Sequence, residues 1–130
     1  MKQTFLAILL TGVWMNLSEF IRNELLFKSY WVDFYTTIGL PWPSAPINGA
    51  VWCLWSFLFS VGLIELIKYF SILKSSLISW GLAYALMWIV LLNLGVMPKQ
   101  LLIWAIPWSF IQVLIAAKIG QSILGRPKSY

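Results

Sequence analysis

Apolar residues fall into four blocks along this chain, at about residues 4–23, 47–68, 75–96 and 100–120. Each is close to the roughly 20 residues that an α-helix needs to cross about 30 Å of hydrocarbon. Charged residues make up only 10% of the 130 positions, against roughly 25% in an average soluble domain. A soluble chain this small would need far more polar surface. The expected fold is therefore an all-α integral membrane protein. It is a single domain built as a four-transmembrane-helix bundle.

The start, MKQTFLAILLTGVW, places Lys2 before an apolar run as a signal peptide does. No small-x-small cleavage site follows, so the run is expected to remain as the first span. No helix breaker then occurs before Gly39, which predicts an extended first helix reaching to about Asp33. In that extension Leu17, Ile21, Leu25, Lys28 and Val32 recur three or four residues apart, as on one side of an amphipathic helix. The outer segment, 24–46, closes on a Pro/Trp-rich connection in which Pro41, Pro43 and Pro46 exclude regular helix. The second and third blocks are joined by the short link SILKS. Gly95 and Pro98 mark the end of the third, and a polar tail covers 121–130.

Four spans place both termini on one side. Lys2, Lys68, Lys74, Lys118, Arg126 and Lys128 lie there, against Arg22, Lys28 and Lys99 on the other. The positive-inside rule then predicts an inner or plasma membrane protein with cytoplasmic termini. The cations form no basic stripe, so the net charge of +5 does not point to nucleic acid. Seven of the nine tryptophans fall in the outer half of this arrangement (Trp31, Trp42, Trp52, Trp55, Trp88, Trp104 and Trp108).

The sequence contains no histidine, which removes His-based triads, His-ligated haem and ordinary zinc sites. Asp33 is the only aspartate, which excludes chemistry built on paired aspartates. No metal or cofactor is expected. The lone Cys53 cannot form an intrachain disulfide.

The polar residues near the outer end of the first helix carry what specific chemistry the chain has. Glu19 lies roughly 22 Å along that helix, where a carboxylate is costly unless paired or wetted. It is either a cation- or proton-binding group or a boundary residue paired with Arg22. Asn16 and Asn23 share its face and serve as interhelical bonds or as the lining of a small cavity. Glu24, Asp33, Trp42 and Asn48 complete the candidate site, with Asn48 or Ser44 as a cap for the second span. Asn93 and Gln112 are lone polar residues expected to bond neighbouring helices. Gly81 and Ala85 form a small-xxx-small pair beside the stripe Trp80, Tyr84 and Trp88, which suggests a close helix crossing. Pro107 predicts a kink in the fourth span.

Three functions are expected from these features. The first is a non-enzymatic scaffold or accessory subunit that contacts a membrane-protein partner or lipid through its outer aromatic segment. The second is an oligomeric small transporter or channel using Glu19. The third is a membrane enzyme acting on a lipid, for which the 19, 24 and 33 spacing offers no shared helical face. The bilayer is the expected partner throughout, with self-association as a further one.

Overall fold

The structure is a computed structural model that describes residues 1–125. It is all-helical. Four helices are long and apolar enough to cross a membrane: α1 (Lys2–Leu26), α3 (Pro46–Ile67), α4 (Ile72–Asn93) and α5 (Lys99–Leu124). A shorter helix, α2 (Lys28–Thr37), lies between the first two. Each long helix has at least 22 residues and so measures at least about 33 Å.

The interior is rich in small residues. Ala7, Thr11, Gly12, Ser56, Ser60, Ser75, Ser76, Ser109, Ala116, Ala117 and Gly120 are all buried. Side chains of this size let helix backbones approach closely. At Gly12 the approach leaves no room for a Cβ, because the Phe57 ring of α3 occupies that position. α1 packs on α3 and α5, and α4 packs on the same two helices. Larger apolar side chains join the small ones in the core, among them Met15, Leu63, Ile64, Ile67 and Leu101, but many others point outward: Phe5, Leu58, Leu82, Ile89 and Ile103 are each more than 60% exposed. A soluble bundle that exposed so many large apolar side chains would aggregate.

The first helix is not a continuous α-helix to Asp33. Its α-helical part ends at Phe20 and is succeeded by a π-helical turn over Ile21–Leu26. The turn is closed by the Phe27 N–H donating to the Arg22 carbonyl at 2.9 Å. Phe27 then leaves helical geometry and α2 begins afresh. The extra residue of the π-turn rotates the residues beyond it about the helix axis, so the expected stripe from Leu17 to Val32 does not form. Phe27, Trp31, Phe34 and Tyr35 are the half-buried side chains in its place.

Other boundaries shift for local reasons. Ser71 caps α4 by accepting from the Lys74 N–H, so most of SILKS is helix and not link. Pro46 takes the first position of α3 after an extended Ala45, with no side-chain cap. Asn48 and Ser44 therefore do not cap this helix. Helix α4 ends at Asn93, and Gly95 adopts φ +68° in the turn beyond it. Helix α5 continues to Leu124, with Pro107 inside it. The first four residues of the expected polar tail are thus helical, while Arg126 and Lys128 lie outside the described residues.

A buried polar cluster as the candidate functional site

Three long helices contribute to one polar cluster, at mid-length of α4 and α5 and in the half of α1 nearer α2 and the proline-rich connection. Glu19 of α1 is its centre and is only 2% exposed. Its Oε1 accepts from the Tyr84 hydroxyl of α4 at 2.7 Å and from Gln112 Nε2 of α5 at 2.5 Å. Its Oε2 accepts from Arg22 Nη2 at 2.5 Å and from Asn23 Nδ2 at 3.1 Å. Gln112 Nε2 also donates to the Tyr84 oxygen. Gln112 Oε1 accepts from the Ser18 hydroxyl at 2.5 Å, and Ser18 in turn accepts from Trp108 Nε1 at 3.1 Å. The Trp14 indole donates to the Gln112 backbone carbonyl at 2.9 Å.

This pattern reflects the cost of burying charge. A buried ion pair recovers the several kcal/mol lost per desolvated ion only when further hydrogen bonds saturate it. The four donors around Glu19 do that for the carboxylate. Arg22 is 5% exposed, and its Nη1 has no hydrogen-bond partner among the described residues. Its guanidinium carbon stands 5.6 Å from the Tyr84 ring centroid, so an aromatic face partly replaces the missing acceptor.

A smaller cluster lies over the first. Asn23 Oδ1 accepts from the Trp31 indole at 3.1 Å. Trp42, carried back by the proline-rich connection, stacks on Trp31 with centroids 5.7 Å apart, and the edge of Tyr35 meets it at 5.2 Å. The Trp42 indole donates to Glu24 Oε1 at 3.3 Å, and Lys28 pairs with Glu24 Oε2 at 2.8 Å. The connection and α2 therefore form an aromatic cap, joined by hydrogen bonds to the buried cluster through Trp31 and Asn23.

Among the expected site residues, Glu19, Arg22 and Asn23 meet in the core cluster, and Glu24 and Trp42 meet in the cap. Asn16 is half-buried and makes none of these hydrogen bonds, Asp33 is exposed, and Asn48 sits apart at the start of α3. Glu65 pairs with Lys68 at 2.5 Å near the far end of α3. No neighbour comes within 4 Å of a Cβ built at Gly81, so the Gly81/Ala85 pair makes no close crossing within the chain. The aromatic stripe beside it turns inward instead, with Tyr84 and Trp88 buried.

Sequence alone does not identify Tyr84, Ser18, Trp108 and Trp14 as members of the cluster. Tyr84 has a visible signal, since it is the only hydroxyl in the Trp80–Tyr84–Trp88 stripe. Its neighbourhood does not, because Gly81–Ala85 is a second π-helical turn that no simple sequence period reveals. Among the described residues no three His, Cys, Asp or Glu side chains are grouped to hold a metal ion. Compared with protein-family models, curated proteins and solved structures, the chain matches none of them.

Proposed function

We propose that this chain is a multi-pass membrane protein that works by contact, as a scaffold or accessory subunit, and not by catalysis or transport. The observation carrying this reading is the saturation of Glu19. All four of its side-chain hydrogen bonds come from its own chain, which leaves the carboxylate no ready acceptor for a solute cation. The cap is then the docking face. It exposes Tyr30, Val32, Ile38 and Leu40, the last at 55%. Lys2, Lys68, Lys74 and Lys118 lie toward the opposite end, against Arg22, Lys28 and Lys99 toward the cap. That bias supports an inner or plasma membrane location with cytoplasmic termini and an outward-facing cap.

Photocrosslinkers placed at Ile38 and Leu40 in native membranes test this. A discrete protein or lipid adduct is expected at both positions, and it should disappear in an Ile38→Lys/Leu40→Lys variant that still inserts. A chain that purifies as a stable monomer with no adduct from either position contradicts the proposal.

One observation favours the transport reading instead. Arg22 Nη1, which has no hydrogen-bond partner among the described residues, and the π-turns at Arg22 and Tyr84 are features that a second arrangement of the cluster would use. Flux through proteoliposomes that is lost in Glu19→Gln, with folding retained, would establish that reading over the first.

A further inference from the structure

We propose that α2 lies in the headgroup boundary of the bilayer, with Tyr30 and Phe34 turned to lipid and Ser29, Asp33 and Thr36 turned to water. The inference names the occupant of one flank of the cap, and it rests on reading the four long helices as membrane spans.

Two hydrogen bonds set the depth of α2. The Trp31 indole donates to Asn23 at 3.1 Å and the Trp42 indole to Glu24 at 3.3 Å. Asn23 and Glu24 both belong to the long helix that ends at Leu26. In a straight continuation of that helix, residues 23 and 31 would stand about 12 Å apart along the axis, more than their side chains can bridge. The break at Phe27 (φ −121°, ψ 16°) lets α2 lean across the end of α1 instead. The Trp31–Trp42 stack therefore stands level with the last turn of a span, the depth at which tryptophan and tyrosine meet the edge of a bilayer.

The faces of α2 fit that placement. Trp31 and Tyr35 share the side that meets Trp42. Tyr30 and Phe34, four residues apart, share a second side. Ser29, Asp33 and Thr36, spaced four and three apart, share a third and are all exposed. No side chain of α2 is fully buried by the rest of the chain. The Tyr30 side continues a surface that already faces lipid in a spanning helix. Leu25 and Leu26 are 64% and 49% exposed at the end of α1. Phe27 follows them and meets the Tyr30 ring edge-on at 6.2 Å.

Charge narrows the occupant further. Between Phe27 and Ala45 only Lys28 and Asp33 are charged, and Lys28 is held by Glu24 at 2.8 Å. The segment is neutral, so aromatic and apolar contact with the bilayer edge holds it, and zwitterionic lipid suffices.

Spin labels on single cysteines in a Cys53→Ser background test this in phosphatidylcholine vesicles, with flotation confirming insertion. Collisions with oxygen, relative to a water-soluble nickel chelate, should be at least about threefold more frequent at Tyr30→Cys and Phe34→Cys than at Ser29→Cys and Thr36→Cys. The same contrast should persist in native membranes. Equal ratios at all four positions in vesicles that float normally overturn the proposal. Loss of oxygen access at Tyr30→Cys in native membranes alone would show a protein on this flank, which overturns lipid as the occupant and leaves the contact role of the cap standing. Failure to float would instead overturn the membrane reading beneath both.

Discussion

At the residue scale, one carboxylate organises the polar interior. Glu19 is legible in the sequence as a charge at an expensive depth, with Arg22 and Asn23 beside it. What settles its surroundings is Gln112, more than 90 residues away, which bonds both Glu19 and Ser18. Sequence shows that such a glutamine needs a partner in lipid, but not which one. Glu19→Gln removes the charge while nearly keeping the shape, and leaves Arg22 buried without its counter-ion. Thermal unfolding in detergent should show a loss on the order of 3 kcal/mol. Tyr84→Phe deletes the bond to the carboxylate and the oxygen that accepts from Gln112, and should cost about 2 kcal/mol. Near-equal, negligible effects of both would mean that the cluster is solvated and not closed.

At the element scale, the helices are legible in their apolar runs, but the two π-turns are not. A π-turn inserts one residue into a helical face, so the stripe expected from Leu17 to Val32 is interrupted and Trp31 reaches Asn23. The small-residue logic is similarly legible in kind and misplaced in detail: Gly12 makes a tight helix contact, whereas Gly81 meets open space. Gly12→Ala should destabilise by about 1–3 kcal/mol, because the Phe57 ring must move. Gly49→Ala, where a Cβ meets nothing within 4 Å, should be neutral or stabilise by up to about 1 kcal/mol through helix propensity. Calorimetry on the two variants separates these outcomes. In the cap, Trp42→Ala removes the stack on Trp31 and the bond to Glu24. Amide exchange should then quicken across α2 while α3 and α5 keep their protection. Uniform loosening of the whole chain would show that the cap and bundle are one cooperative unit.

At the scale of the whole molecule, four long apolar helices enclose a core rich in small and polar side chains and leave many leucine, isoleucine and phenylalanine side chains exposed. Block length and the scarcity of charge make the four helices legible, because both are properties of sequence alone. The enclosure is not legible, since it depends on which faces meet. A spanning bundle requires the cap and the α3–α4 turn to lie on opposite sides of a bilayer. Thiol labelling with a membrane-impermeant maleimide, in a Cys53→Ser background and intact cells, tests this most directly. Leu40→Cys should be labelled from outside, and Lys74→Cys only after permeabilisation. Labelling of both positions from the same side would contradict a membrane-spanning bundle with an outward-facing cap.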